Sequence, residues 1–228
     1  IRPVILGAVV RNVDYASIGI SADAFIKSLM DHQEKLHFAL GRGRKRASIG
    51  VHDLAKLSPP FSVKAVNGDT MFTPLAATEP MSISQVLAEH PKGIDYAHLL
   101  EGFDKYPIIV DGENNVLSFP PIINGDHTTV TEETRDFFID VTGWDARACE
   151  SALMLITLQL QEYGGVIETI EVTDCSGVTN TMPNGSAVQH KLASSMLEGL
   201  LGRNLSEDEI SIAINRMGGN LLSQGNDF

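Results

Sequence analysis

The stretch SFPPIINGDHTTVTEETRDFFIDVTG, residues 118–143, ends in a predicted β-strand that carries a carboxylate among large apolar side chains. Side chains of a strand alternate between its two faces. Phe137 and Ile139 therefore share one face, and Asp140 and Thr142 share the other. An ionised carboxylate taken out of water costs several kcal/mol unless it is paired or hydrogen-bonded. Asp140 thus requires a protein partner, water or a role in binding.

The composition is that of a globular protein. The 228 residues are 43% hydrophobic and 20% charged, and no apolar run approaches the roughly 20 residues that span a bilayer. The net charge is −12, which repels a polyanion over most of the surface, so any contact with nucleic acid is expected to be local. Cys149 and Cys175 lack metal-ligand spacing, which suits a reducing cytosol.

Helices are predicted from apolar spacing and from capping residues. A stripe with a three-to-four spacing ends at Gly41, and a second such stripe begins after the N-cap Asp145. Two further helices begin with capping boxes, at Ser82 and at Ser206.

Strands are predicted where apolar residues alternate or form short runs. ASIGVHDL, FSVKAV and VIETIEV read as strands, and YPIIV and VLSFP as a hairpin. The predicted class is α+β, with mixed sheets and packed helices. The loop TNTMPNGS, residues 179–186, is the predicted domain boundary.

The segment GRGRKR, residues 41–46, places four positive charges directly after a predicted helix. Helix C-terminal carbonyls favour cations, so a solvated loop explains the segment without any ligand. The alternative is a phosphate contact, because the two glycines let backbone amides approach, although the spacing is not that of a P-loop. Arg42, Arg44, Lys45 and Arg46 are therefore the candidate contacts with nucleic acid.

Histidines offer little support for catalysis. His52 and Asp53 are adjacent in a strand and face opposite ways, so they cannot form a hydrogen-bonded dyad within it. A lone histidine is more often a satisfied structural group, an interpretation that extends to His32, His37 and His127. The sequence has no HExxH, GxSxG or zinc-ligand cysteine pair. No metal site is predicted.

The order of several motifs is similar to that of a known family. LMDHQEKLHFALGRGRKRASIGVHDL, HPKGIDYAHLL and VLSFPPIINGDHTTVTEETRDFFIDVTG together resemble the β chain of phenylalanyl-tRNA synthetase, in its archaeal and eukaryotic cytosolic form. The resemblance implies a B3/B4 editing domain at residues 1–178. Residues 179–228 then correspond to a linker and the N-terminal helices of a truncated B5 domain, with the rest of the family chain absent.

The resemblance implies editing, the hydrolysis of tyrosine wrongly attached to tRNA(Phe). Phe and Tyr differ by one hydroxyl, which an apolar pocket cannot strongly favour or reject. A buried acid and hydroxyl can pair with the phenol, whereas a Phe ring leaves them unpaired at about 1–3 kcal/mol. The family's tyrosine-selecting Asp and Thr match Asp140 and Thr142. Ser118 matches another site residue, and Ile108 or Ile109 lies where the family has an apolar pocket residue.

No side chain stands out as a nucleophile or base, so the catalytic group is not assigned. An aminoacyl ester is already activated, and holding a water and the terminal ribose hydroxyl within reach suffices for positional catalysis. Asn124 and His127 are the candidate water or ribose contacts, with turn stabilisation as the alternative for each. No cofactor is expected, because ATP and Mg²⁺ belong to the ligase reaction of the full enzyme, and this chain alone is expected to lack ligase activity.

The implied partners are tRNA(Phe) and the synthetase α subunit, in a cytoplasmic α2β2 enzyme without membrane contact. One alternative is a non-catalytic module for tRNA binding or subunit assembly, in which Asp140 is a buried structural acid. A free-standing hydrolase acting in trans is a second alternative, disfavoured by the interrupted B5-like element.

Overall fold

The computed structural model describes residues 2–222 of the chain. The chain divides into two compact units, Ile1–Asn184 and Gly185–Phe228. Within residues 2–222 the strands are β1 (Val4–Arg11), β2 (Ala47–Asp53), β3 (Ser62–Val66), β4 (Met71–Phe72), β5 (Met81–Ser82), β6 (Tyr106–Val110), β7 (Val116–Phe119), β8 (Ile123–Asn124), β9 (Phe137–Gly143), β10 (Val166–Glu168), β11 (Ile170–Thr173) and β12 (Thr179–Met182). The helices there are α1 (Ala22–Phe38), α2 (Ile83–Glu89), α3 (Pro91–Tyr96), α4 (Ala146–Glu162), α5 (Ser194–Leu201) and α6 (Glu207–Arg216).

The central sheet of the first unit is antiparallel, with the strand order β10, β1, β9, β2. β9 carries the sequence FFIDVTG, and Asp140 pairs with Gly7 of β1 on one side and Gly50 of β2 on the other. All seven residues of β9 are buried, since the strand has a partner on each edge and layers on both faces. The predicted strand is confirmed.

Helices α1 and α4 cover one face of this sheet. Phe137 and Ile139 are fully buried in that layer, in one apolar cluster with Phe25 of α1 and with Leu153 and Ile156 of α4. The three-to-four spacing predicted for both helices thus corresponds to their buried faces. Because Asp140 is the neighbour of Ile139 in the strand, its side chain lies on the opposite face.

A second antiparallel sheet, in the order β3, β6, β7, β8, faces the polar side of the first. One apolar cluster joins Val9 and Phe138 of the central sheet to Ile109 and Leu117 of the second. The predicted β6–β7 hairpin is confirmed, with an irregular register at Ile109 and Val110. Mixed antiparallel sheets with packed helices confirm the α+β class.

The predicted helix starts are confirmed by their caps. The Ser82 hydroxyl accepts from Gln85 N while the Gln85 side chain accepts from Ser82 N, which is the predicted capping box. An equivalent box begins α6 at Ser206. Asp145 caps α4 by accepting from Ala148 N at 3.0 Å.

Two secondary-structure predictions near the end of the first unit are wrong in part. VIETIEV is two strands, because β10 pairs with β1 whereas β11 pairs with β12 in a separate hairpin. Alternation in sequence identifies extended chain but does not specify its partner strand. The predicted loop at residues 179–186 begins with β12, whose polar residues pair with β11. The two units divide after Asn184, and their assignment to B3/B4 and B5 domains stays a prediction.

No helix within residues 2–222 is long and apolar enough to cross a membrane.

Candidate functional site

A cavity of about 160 Å³ lies against the polar face of β9. Its lining brings together Asp140, Ser118 and Asn124, which belong to three different strands. Side chains of α1 and of the segment after β7 complete the wall, among them Glu34 and Pro121. The cavity combines the buried carboxylate of Asp140 with neutral polar groups, apolar surface and charged side chains such as Arg44.

A larger cavity of about 470 Å³ lies between α1 and α4, on the other side of the central sheet. It is lined by surface side chains such as Lys27, Asp31 and Gln159, and by none of the residues predicted for the site. The smaller cavity is therefore the candidate site, since it contains the buried acid that the sequence singles out.

Asp140 is held by a histidine. Its Oδ2 lies 2.8 Å from His52 Nε2, and both side chains are almost completely buried. His52 Nδ1 lies 2.8 Å from the Thr128 hydroxyl, which donates to the carbonyl of Gly125 at 3.1 Å. The second carboxylate oxygen, Oδ1, has no hydrogen-bond partner among residues 2–222. Asp140 therefore has one oxygen fixed by protein and one free to accept a ligand's hydrogen bond.

Glycine at position 50 makes room for this pair. Gly50 is the direct cross-strand partner of Asp140. A Cβ at position 50 would collide with Asp140 Oδ2 and would lie 2.6 Å from His52 Nε2. On β1, a Cβ at position 7 would lie 2.7 Å from the Ile170 side chain. The carboxylate thus occupies space that any other residue at position 50 would fill.

Thr142, two residues after Asp140 on the same face of β9, has different hydrogen-bond partners. Its hydroxyl accepts from Arg2 Nε at 2.9 Å and lies 3.2 Å from the Ser48 hydroxyl. Arg2 also donates to the carbonyl of Arg44 at 3.2 Å. Burial lowers the Arg2 pKa to about 10, although the nearby Cys149 and Asp140 act to raise it. Thr142 does not line the cavity, and its hydrogen bonds join the strand end to Arg2.

Arg44 forms part of the cavity wall. Its Nη2 donates to Glu34 Oε1 at 2.6 Å, and its Nη1 donates to the carbonyls of Ile122 and Pro121 at 2.9 and 3.2 Å. The guanidinium also lies 4.3 Å from the centre of the Tyr96 ring. These contacts join the basic segment, α1 and the turn after β7 around the cavity.

Glu34 lies at the exposed edge of the same wall, with about half of its side chain accessible. The hydrogen bond from His37 and the positive charge of Arg44 lower the Glu34 pKa to about 2, although desolvation opposes the shift. His37 is itself buried, and burial lowers its pKa. Glu34 is therefore an anion across the physiological pH range.

The sequence profile of the B3/4 domain family matches residues 6–159. This range includes β2, β9, most of β1 and all of the residues that line the cavity. The chain belongs to the B3/4 domain family. Among curated relatives, it is 45% identical over 217 residues to the phenylalanine-tRNA ligase beta subunit of Methanococcoides burtonii, covering 95% of the chain and 39% of that relative. It is 47% identical over 217 residues to the corresponding subunit of Methanosarcina acetivorans, covering 95% of the chain and 38% of that relative.

The B3/4 domain also matches a solved structure. An N-terminal fragment of the phenylalanyl-tRNA synthetase beta subunit from Pyrococcus horikoshii superposes with a TM-score of 0.91 at 30% identity, covering 100% of this chain and 64% of the fragment. The resemblance to this β chain is confirmed. The chain spans about two fifths of the length of the curated relatives named above.

The B3/4 domain does not present its basic segment as predicted. Arg42, Lys45 and Arg46 are exposed. Arg44 is buried, with a positive φ of 67°, and its two terminal nitrogens are engaged by Glu34 and by two carbonyls. Burial therefore disfavours the predicted contact between Arg44 and tRNA, because this guanidinium is engaged by the cavity wall.

The other polar residues predicted for the site separate into two groups. Ser118 and Asn124 are cross-strand partners that both line the cavity. Their mutual contact is long, at 3.5 Å, and Asn124 Nδ2 donates to the carbonyl of Val51 at 3.4 Å. His127 is exposed and does not line the cavity. Partial burial lowers the His127 pKa.

The predicted apolar pocket residue has no place in the cavity lining. Ile108 is buried in a cluster with Phe72 and Phe119, and Ile109 is buried against Phe138. The two isoleucines face opposite sides of β6 because they are adjacent in the strand. Neither lines the cavity as it stands in this structure.

The role of His52 was not predicted from sequence. The exclusion of a His52–Asp53 dyad is correct, since Asp53 accepts from Thr134 Oγ1 at 2.9 Å on the other face. The partner of His52 is Asp140, its diagonal neighbour on β9, because His52 is opposite Phe138 and Asp140 is opposite Gly50. The strand register, once known, would have indicated this pair.

Within residues 2–222, no group of three or more His, Cys, Asp or Glu side chains is placed to hold a metal ion.

Proposed function

We propose that this B3/4 domain is the editing region of a phenylalanine-tRNA ligase β subunit and hydrolyses Tyr-tRNA(Phe). The observation that carries the proposal is Asp140, which has one oxygen bound to His52 and the other unpaired beside a cavity. An engineered cavity of about 150 Å³ accommodates a benzene ring. The 160 Å³ of this cavity therefore suits one aromatic ring, with the ester and ribose outside it.

Selectivity for tyrosine follows from the unpaired oxygen. A phenol hydroxyl donates to a carboxylate in a charge-assisted hydrogen bond, worth about 1.5–3 kcal/mol. A phenylalanine ring fills the same volume and leaves the carboxylate oxygen without a donor. His52 prevents Asp140 from turning away, so the penalty for phenylalanine is not relieved by a change of rotamer.

Hydrolysis in this proposal proceeds by positioning. A water oxygen forms a bond to the ester carbonyl carbon, the bond from that carbon to the ribose oxygen breaks, and a proton from the water is transferred to the ribose oxygen. Ser118 and Asn124 make only long contacts with each other, so both retain hydrogen-bonding capacity for the water or the ribose. The group that activates the water is not assigned.

A non-catalytic role in tRNA binding or subunit assembly is the second candidate. It is favoured by the burial of both Asp140 and His52, since a hydrogen-bonded acid–histidine pair is also a stable structural element. In this alternative the cavity binds no substrate. Both candidates place the chain in a cytoplasmic α2β2 synthetase that binds tRNA(Phe) and an α subunit, with ATP and Mg²⁺ used elsewhere in that enzyme.

A deacylation assay tests the proposal. The purified chain is incubated with Tyr-tRNA(Phe) and with Phe-tRNA(Phe), in the presence and absence of the α subunit of an archaeal relative. Editing predicts faster release of tyrosine than of phenylalanine. Equal release of both amino acids, at the uncatalysed rate under both conditions, would support the non-catalytic candidate.

A further inference from the structure

A stacked pair of aromatic rings lies on the surface beside the exposed part of the basic segment. Trp144, the only tryptophan of the chain, is about half exposed. Its ring is stacked on Phe103, with centroids 6.5 Å apart and planes 24° from parallel. An exposed aromatic face supported by a second ring is a surface on which another flat ring can stack.

The basic segment is attached directly to this pair. Trp144 N donates to the carbonyl of Arg46 at 3.0 Å. Arg46, Lys45 and Arg42 are exposed. An ion pair from Arg46 Nε to Asp145 Oδ2 is long, at 3.9 Å. The exposed basic residues are therefore joined to the ring pair through the backbone of Arg46, and their charges are only partly neutralised.

Trp144 and the basic segment lie a few residues from the candidate site, at the end of β9 and before the start of β2. Trp144 follows Asp140 by four residues, which is about 13 Å at the rise of a β-strand. Arg46 lies directly before β2 and two residues before Ser48, which lines the cavity. A few unpaired nucleotides cover such a distance, at about 3.4 Å for each stacked nucleotide.

We propose that Trp144 and Phe103, with Arg42, Lys45 and Arg46, bind the unpaired 3′ end of tRNA. A base stacks on the ring pair and its phosphates contact the cations, the combination by which proteins bind single strands without reading sequence. Acidic residues flank Phe103 in the sequence EGFDK, so the phosphates lie on the side of residues 42–46. The identity of the strand rests on the proposed function, whereas the preference for a single strand does not.

Fluorescence of the single tryptophan reports this contact directly. The chain is titrated at low salt with a short single-stranded RNA that ends in CCA, and with a blunt duplex that contains the same sequence. The expected result is saturable quenching of Trp144 by the single strand and none by the duplex. Equal quenching by both RNAs, or by neither, overturns the inference.

Variants of Trp144 measure how much its ring contributes to RNA affinity. By anisotropy of the labelled single strand, Trp144→Ala is expected to raise Kd about 5- to 150-fold, and Trp144→Phe to recover most of the affinity. Leu158→Ala, which removes an exposed apolar side chain from α4, serves as the matched control and is expected to leave Kd unchanged. Unchanged affinity in Trp144→Ala contradicts the inference.

The two proposals fail in distinguishable ways. The RNA probe carries no ester, so its binding is independent of hydrolysis. In the deacylation assay, Trp144→Ala is expected to raise KM for Tyr-tRNA(Phe) and leave kcat unchanged, because the ring does not contact the reacting atoms. A loss of kcat alone would contradict a binding role for Trp144.

Discussion

The two faces of β9 are equally buried but differ in chemistry. On the helix side, Phe137 and Ile139 pack in an apolar cluster with α1 and α4. On the other side, Asp140 and Thr142 are equally inaccessible, yet each is held by specific hydrogen bonds to residues that are distant in sequence. An apolar contact tolerates a change of partner, whereas a buried polar group does not. Burial alone therefore does not separate the residues that stabilise the fold from those that we propose to select a ligand.

Substitution on the helix side is expected to have the largest effect, and on stability alone. Phe137→Ala removes a fully buried ring beside Phe25, and should lower the free energy of unfolding by about 3–5 kcal/mol. Urea denaturation measures this change. The ratio of Tyr-tRNA(Phe) to Phe-tRNA(Phe) deacylation by the folded fraction should be preserved. A shift in that ratio without loss of stability would contradict the division between the faces.

Substitution of Asp140 is expected to have the opposite outcome. Asp140→Asn retains a hydrogen-bonding group for His52 but removes the charge, and should slow Tyr-tRNA(Phe) deacylation about 10- to 150-fold. Asp140→Ala should add a loss of stability, because it leaves the Nε2 atom of His52 without a partner in the interior. Comparison of the two variants in the deacylation and melting assays separates the roles. A stable Asp140→Asn variant with an unchanged preference for tyrosine would contradict the editing proposal.

Substitution of Thr142 tests whether every polar residue on this face of β9 affects the preference for tyrosine. Thr142→Val removes the hydroxyl that accepts from Arg2 and contacts Ser48, so we expect a loss of about 0.5–1.5 kcal/mol in unfolding free energy. Its effect on the preference for tyrosine should be much smaller than that of Asp140→Asn, because Thr142 does not line the cavity. An equal effect of both substitutions in parallel deacylation assays would indicate that Thr142 also contacts the ligand.

The smallest effect is expected at the edge of the cavity, and it depends on pH. The Glu34 pKa falls from its ordinary 4.5 to about 2, mainly through His37 and Arg44. A depressed pKa in the folded state contributes stability above the unfolded pKa, and this contribution is lost as the pH falls from about 4.5 to about 2. The difference in melting temperature between the wild type and Glu34→Gln should therefore shrink across this window.

Glu133→Gln, at an exposed loop position, controls for general acid unfolding. A difference between the wild type and Glu34→Gln that stays constant down to pH 2 would contradict the role assigned to the Glu34 charge.

Local features of the fold were predictable from sequence. Ser82 and Ser206 begin helices because a capping box satisfies backbone donors within four residues. The two faces of β9 follow from alternation in the same way. These features depend on neighbours in the chain, which the sequence displays directly.

Features that depend on register were not predictable. Asp140 was recognised as an acid in need of a partner, but the identity of His52 follows from the alignment of β2 with β9. Arg44 looked like its exposed neighbours in GRGRKR, and its burial results from contacts with Glu34 and with carbonyls beyond β7. The strand VIETIEV divides between two sheets for the same reason, since its partners lie far away in the chain.

Gly50, opposite Asp140, makes the choice of residue at one of these two positions depend on the residue at the other. Since a side chain at position 50 would occupy the space of the carboxylate, residues 50 and 140 cannot vary independently. A search for altered amino-acid selectivity that randomises position 140 alone explores only side chains that fit beside a glycine. Larger polar groups at position 140 have room only while position 50 stays glycine, whereas a small residue at position 140 permits a side chain at position 50. Paired libraries at the two positions are therefore the route to new specificities on this scaffold.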